Sequence, residues 1–330
     1  MQHDVKLGVI KAMASSPLPV QKLPILVVLA SVIYCSAGAQ PVGQKVGPQF
    51  PFMTSSARMM GMADAGDALL DNYSGLTSNP GVLGLMKKAF ADYSFQRVQK
   101  GITFEHFGIA FKPTPVDGLA LAVDILHFGG ADFYTKSNIR DLGFELRTGL
   151  AYGRQIAEAL SLGVNVQAIT STTGPNSVWA FGGDIGFSYA PAKYIRYALT
   201  VRGISTDYKV FAPILRTDVF TPRISRVLSL AVAIDYPLSD QTEKIVLAFS
   251  GDKVVGERDA LYRFGGEYYP FWSSEGFRAA VRTGVVFRFS DVEPRFGLGL
   301  AYGQFSIDYG YRYMRRFLQP SHMFTLSATW

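Results

Sequence analysis

The chain ends on His322-Met323-Phe324-Thr325-Leu326-Ser327-Ala328-Thr329-Trp330. Successive side chains of a strand point to opposite sides, so Phe324, Leu326, Ala328 and Trp330 share one face and Thr325, Ser327 and Thr329 the other. One face suits lipid and the other suits a crowded polar interior, as in the closing strand of an outer-membrane β-barrel. Nine residues fit the last strand of a soluble sandwich equally well, so the remaining sequence has to decide.

At the other end, Lys6, Lys11 and Lys22 precede an apolar run from Leu23 to about Tyr34, and Ala37-Gly38-Ala39 follows. A short apolar stretch before an A-x-A site has the form of a secretory signal peptide over residues 1–39, with cleavage before Gln40. Cys35 raises a lipoprotein alternative, but bulky Tyr34 before it argues against that. Cleavage at this point leaves no cysteine in the mature chain and so no disulfide framework. The whole chain carries a net charge of +6. The leader contributes three Lys and one Asp, so the mature chain sits near +4, a mild excess that calls for no nucleic-acid partner.

Apolar residues make up 48% of the chain. No run of about 18 apolar residues follows the leader, which excludes membrane-spanning helices. A membrane protein without such runs must be a closed barrel, because only closure satisfies every backbone N–H and C=O without water.

From Ala89 onward about fourteen segments have barrel-strand length. Phe296, Leu298, Leu300 and Tyr302 alternate with Gly297, Gly299 and Ala301, and Phe305, Ile307, Tyr309 and Tyr311 alternate with Ser306, Asp308, Gly310 and Arg312. The same alternation runs through Phe277–Phe289, Leu228–Tyr236, Ile195–Arg202 and Leu160–Gln167. A sandwich also has period two, but its polar face meets solvent. Here that face is mostly Gly, Ala, Ser, Asp and Arg, which fits a packed lumen better.

Taking Ala89–Gln96 as the first outward strand, connections after even strands should be short and those after odd strands long. Gln155–Ala159, Ala190–Lys193 and the turn near Gly303 fit the short set. Phe128–Asp141, Ser171–Ser177, Gly203–Ser225 and Gly251–Asp259 fit the long set, while Arg97–Gly101 and Ser290–Pro294 are shorter than the rule asks. Tyr152, Tyr189, Tyr236, Tyr268, Tyr302 and Trp330 then end the downward strands on the outward face, where a periplasmic aromatic girdle belongs. The expected protein is all-β: a transmembrane antiparallel up-and-down barrel of about fourteen strands over residues 89–330. It sits in the outer-membrane lipid of a Gram-negative cell, with both mature termini periplasmic.

Residues 40–88 lack this alternation and are rich in Gly, Met, Ser and Asp. A barrel of this size is too wide for its own side chains to fill, so the segment is expected to fold into the lumen as a hatch; the alternative is a periplasmic tail. Within it, Ser55 to Leu83 holds Ser56-Ala57-Arg58, Gly61-Met62-Ala63, the acids Asp64, Asp67 and Asp71, and Asn79-Pro80-Gly81. This run resembles the N-terminal signature of the FadL-like outer-membrane proteins, closest to their PorV/PorQ branch. The usual Gly-Met-Gly is Gly61-Met62-Ala63 here, and the usual Ala after Asn-Pro is Gly81. The resemblance implies a fourteen-stranded barrel with an N-terminal hatch. Its PorV and PorQ members imply work with the type IX secretion system, and its FadL members imply passage of hydrophobic molecules through the lumen and a side opening. It also implies recognition of the C-terminal aromatic strand by the barrel-assembly machinery.

Arg263, Arg278, Arg282, Arg288 and Arg312 are placed on the inward face, with Glu267 and Asp308 near them. Asp64, Asp67 and Asp71 either pair with this arginine wall and hold the hatch, or leave the arginines to Glu267, Asp308 and other inward acids. Asn79-Pro80-Gly81 reads as a turn into the first strand. His106, His127 and His322 lack metal-ligand spacing, no Ser/His/acid set can be assembled, and no cofactor, metal or catalytic residue is expected. The apolar loop Gly203–Ser225, with Phe211, Pro213, Ile214, Leu215, Val219 and Phe220, suggests a packing surface. The leading expectation is a secretion-associated barrel that binds partner or cargo proteins. The alternative is a passive FadL-like transporter of hydrophobic small molecules.

Overall fold

The computed structural model describes residues 53–71, 78–99, 101–129, 141–173, 176–205, 209–211, 226–238, 243–255, 260–271, 276–288, 291–313 and 320–330. The expected leader, residues 40–52 of the expected hatch and most of the Gly203–Ser225 loop lie outside these residues.

Fourteen long antiparallel strands close into a barrel: β1 (Phe90–Gln99), β2 (Ile102–Phe111), β3 (Asp117–Gly129), β4 (Asp141–Ala157), β5 (Leu160–Thr173), β6 (Asn176–Ala192), β7 (Ile195–Ser205), β9 (Val227–Pro237), β10 (Lys244–Val254), β11 (Ala260–Phe271), β12 (Phe277–Arg288), β13 (Asp291–Tyr302), β14 (Phe305–Arg312) and β15 (Ser321–Thr329). Each pairs with its sequence neighbours, and β1 pairs with β15 from Phe90↔Thr329 to Arg97↔His322, which closes the ring. A three-residue strand, β8 (Lys209–Phe211), pairs with Ser177–Trp179 of β6 beyond the point where β7 leaves it.

The alternation read from the sequence sets which face is which. Phe296, Leu298, Leu300 and Tyr302 are all at least 50% exposed. Gly297 and Gly299 between them are buried. An apolar exterior with no sheet edge is the structure a bilayer permits, and it supports an outer-membrane location.

Connections at the barrel end holding Ala89 and Trp330 are short, at 112–116, 158–159, 193–194 and 303–304; the strand ends Gly129, Asp141, Ser205 and Val227, which flank the longest gaps between barrel strands, lie at the other end. Several sequence boundaries need correction: β4 runs to Ala157, β6 to Ala192 and β10 to Val254, into the connections expected at Gln155–Ala159, Ala190–Lys193 and Gly251–Asp259. The first strand begins at Phe90 and runs on to Gln99. Ser171–Ser177 is not a long loop, because β5 continues to Thr173 and β6 starts at Asn176; the β-branched and hydroxyl residues there extend the ladder. Ser290–Pro294 is not a loop either: β13 starts at Asp291, and Pro294 sits inside it opposite Val285.

β15 holds hydrogen-bonded neighbours on both sides, β1 and β14. Deleting Phe324–Trp330 would open the ring and leave two unpaired edges in lipid. The expected outcome is no heat-modifiable barrel in outer-membrane fractions on semi-native gels. A normal band shift from the truncated protein would count against this closure being required.

Candidate functional site: a segment packed inside the barrel

Residues 53–71 and 78–86 pack inside the lumen. A short helix α1 (Ala57–Gly61) begins at Ser56, whose hydroxyl accepts from Met59 N–H as an N-cap. Ala57 and Met60 pack with Phe104, Leu126, Ile169, Ala180 and Met323. Met62, Ala65, Ala68 and Leu69 pack with Ala198, Ala231, Ala233, Val246, Ala248, Tyr269 and Ala280 on the opposite wall. A second short helix, α2 (Val82–Leu85), lies against β3 to β6. The Met- and Ala-rich composition suits this role, since small and unbranched side chains fill a lumen lined by small residues.

The inward glycines are the places where this segment touches the wall. Gly61 meets Gly297 so closely that an added Cβ on Gly61 would lie 2.9 Å from the Gly297 Cα. Ala63 has φ +55° and Asp64 φ +58°, a left-handed bend costly for residues other than glycine. Ala63 stands where the resembled motif carries glycine, so the bend gives that glycine a conformational reason.

Asn79, fully buried, holds the second turn. Its side-chain amide donates to Asp67 O at 3.0 Å and to Ser188 Oγ at 3.0 Å, while its Oδ1 accepts from Gly81 N at 2.9 Å. Pro80 and Gly81 rest directly on Gly163 and Gly186 of the wall. The residues 79–81 thus dock onto strands β5 and β6, and the path into β1 continues through α2.

The charged residues form two clusters, one around Glu267 and one around Asp64 and Arg295, with a polarity that the sequence does not announce. Arg58 of the inner segment donates to Glu267 of β11, Nη2 to Oε2 at 2.7 Å and Nε to Oε1 at 3.1 Å. Glu267 also accepts from Arg282, which pairs with Asp308 at 2.7 Å. Asp64 pairs with Arg295 of β13, and its carbonyl accepts from Arg263 at 2.9 Å. Arg263 also pairs with Asp252, which accepts from Arg202 at 2.8 Å. Asp67 accepts from Ser229 Oγ at 2.9 Å. Arg312 pairs with Glu293 at 2.7 Å.

Several expected placements therefore change. Asp71 does not reach the arginine wall: it pairs with Arg58 of its own segment at 3.4 Å. Burial pushes the Asp71 carboxyl up, but Arg58, Lys244 and Arg196 outweigh this and hold it well below the usual carboxylate range. Arg278 lies at the short-turn rim, donating to Gly303 O at 3.3 Å. Arg288 is exposed at the far end of β12 and is no part of the inner wall. Arg295 and Glu293 were missed because Pro294 between them read as a turn.

Among the expected girdle residues, Tyr152, Tyr236, Tyr268, Tyr302 and Trp330 are 37–74% exposed. Tyr189 is half-buried and stacks on Tyr197, with centroids 6.4 Å apart. Cross-strand partners place these aromatics within a few residues of the short-turn ends, as with Tyr302 opposite Phe277 and Phe305. Phe277 and Phe305 are themselves exposed there. They were overlooked because they start upward strands rather than end downward ones.

Among the described residues, two spaces beside the inner segment stand out. A cavity of about 880 Å³ opens at the short-turn end, with Leu70, Val82, Leu83, Leu85, Met86 and Phe90 among its lining and lysines such as Lys87, Lys88 and Lys193 around it. A narrower crevice of about 80 Å³ shares Asp71, Arg278 and Thr329 with that cavity and reaches Arg58, Arg282, Asp308 and Asp92.

No family model matches the chain, and no curated protein does. Solved structures do. The toluene transporter TodX of Pseudomonas putida aligns with TM-score 0.54 at 9% identity, over 83% of this chain and 96% of that one. A Pseudomonas aeruginosa FadL homologue aligns with TM-score 0.52 at 10% identity, over 84% and 98%. The CymD monoaromatic hydrocarbon channel aligns with TM-score 0.51 at 11% identity, over 83% and 96%. At these identities the likeness concerns the fold alone: this is a closed fourteen-stranded antiparallel barrel, similar in fold to those outer-membrane channels.

Proposed function

We propose that the protein is an outer-membrane channel for small hydrophobic molecules, with residues 53–71 and 78–86 in its hatch and the short-turn end facing the periplasm. The observation that carries this reading is the cavity beside the hatch. At about 880 Å³ it falls within the size range of small-molecule sites, and six apolar side chains of the hatch and β1 line it. The cavity lining is mixed: Asp71, Arg196, Asp235 and Lys244 are spent in close pairs, while Lys87, Lys88, Lys112 and Lys193 give its mouth a basic rim around the apolar patch. Similarity in fold to hydrocarbon channels supports it further. The secretion-associated role that the sequence resemblance put first gains no such support. The apolar loop on which it leaned lies almost wholly outside the described residues.

The test is uptake of an aromatic solute such as toluene into vesicles whose outer leaflet is lipopolysaccharide. Purified protein is expected to speed entry several-fold over protein-free vesicles. A double-cysteine variant that tethers the hatch to the wall should remove that gain. Equal entry with and without protein would end the proposal.

A further inference from the structure

The outward faces of the strands are chiefly apolar, and one row at the long-loop end departs from this. Cross-strand pairing sets His322 of β15, Arg97 of β1, Thr103 of β2 and His127 of β3 side by side. Their chain neighbours Met323, Gln96, Phe104 and Leu126 are buried inside, so these four face outward. The same row continues into Tyr311 on one side and Phe144 on the other, which confines its basic part to four strands. Strands about 4.8 Å apart make that part roughly 14 Å long. Arg97 and His127 each lie two residues before their strand ends, and His322 is second in β15. The row therefore sits where the hydrocarbon gives way to headgroups.

Arg97 is exposed, and its guanidinium has no ion pair among the described residues. Glu105, the next outward position after Thr103 on β2, accepts instead from the Tyr93 hydroxyl at 3.0 Å. His322 Nδ1 lies 2.8 Å from the Tyr309 hydroxyl; with that hydroxyl donating, Nε2 carries the proton and can donate in turn. An outward cation beside lipid needs its partner from the lipid, and a planar guanidinium matches a phosphate through two parallel hydrogen bonds. We propose that Arg97, flanked by His127 and His322, binds a phosphate of a phosphorylated glycolipid of the lipid A class in the outer leaflet. This rests on the reading that the short-turn end faces the periplasm, which puts the row in that leaflet. A zwitterionic phospholipid would bring its own cation to the row, whereas a glycolipid phosphate brings none.

The test uses the full barrel purified in detergent and native mass spectrometry. The probes are bisphosphorylated lipid A, the same lipid stripped of phosphate, phosphatidylethanolamine and inorganic phosphate. Bisphosphorylated lipid A is expected to bind at least about tenfold more tightly than the other three, as charge-assisted hydrogen bonds should give. Arg97→Gln should remove most of that preference. Arg288→Gln, which removes an exposed cation at the same end of β12, should keep it. Equal binding of any other probe, or an Arg97→Gln barrel as selective as the wild type, overturns the proposal. Should Arg97→Gln lose the heat-modifiable band shift, the wild type decides: preference for phosphorylated over stripped lipid supports the site, and equality overturns it. Maleimide labelling of Val255→Cys, an exposed position just past β10, keeps the two readings apart. Labelling from outside intact cells puts the long-loop ends at the outer leaflet, so lost selectivity then sinks the phosphate site alone. Labelling only after the membrane is broken overturns the orientation and this site together.

Discussion

Glu267→Ala is expected to lower the temperature at which the barrel unfolds in detergent and to expose the hatch to protease. Glu267 has a fully buried side chain and accepts from two guanidiniums, Arg58 of the hatch and Arg282 of the wall. Its removal leaves two buried cations facing each other, with Asp71 and Asp308 as their remaining partners. Breaking a buried pair by deleting one partner costs about 3–5 kcal/mol, because the surviving charge stays out of water. Salt in the buffer should change this little, since buried pairs are poorly screened. Adding Arg58→Ala to Glu267→Ala should recover part of the loss, because one of the stranded cations is then gone. Heat-modifiability on gels and limited proteolysis near Arg58 check both statements. An unchanged midpoint with a protected hatch would show that the Arg58–Glu267 pair holds nothing.

This pair also shows where sequence reading stops. Outward residues such as Phe296 and Leu298 could be read from period two alone, because lipid constrains one whole face of every strand in the same way. The charges inside obey no such rule. Arg58 and Glu267 lie 209 positions apart and meet only because the chain folds back through its own lumen. The sequence offered acids in the hatch and arginines on the wall, and the opposite arrangement turns out to sit at the centre. The Asp64 carboxylate did meet a wall arginine, but Arg295; of those singled out, Arg263 reaches only the Asp64 backbone carbonyl. Where a proline interrupted the alternation, at Pro294, the reading lost both neighbours.

The small inward residues are a different case: their pattern was visible and its meaning was not. A face of Gly and Ala was read as a crowded lumen. The structure shows that particular glycines are flat seats for backbone, under Gly61, under Ala63 and under the turn at Pro80. Nothing in a single strand tells a seat from a filler. The distinction depends on what the hatch presses against it.

That distinction gives the second large effect. Gly163→Ala is expected to unseat the hatch at residues 79–81 and raise the ion conductance of the protein in planar bilayers. An added Cβ at Gly163 would lie 2.2 Å from the Pro80 carbonyl carbon and oxygen, a contact with backbone that no rotamer change relieves. Gly186 presses on the same turn, where a Cβ would lie 2.1 Å from Asn79 Oδ1, so the turn cannot slide sideways onto β6. Overpacking of this kind costs about 1–3 kcal/mol. The barrel is closed by its own ladders, whereas the turn is held by a few Asn79 hydrogen bonds, so the hatch is the part that gives way. Gly266→Ala is the matched control, because a Cβ there meets nothing closer than 3.7 Å. Its conductance should equal that of the wild type, and both variants should keep the heat-modifiable band shift. A Gly163→Ala channel that folds normally and conducts like the control would mean that the seat on β5 does not hold the hatch closed.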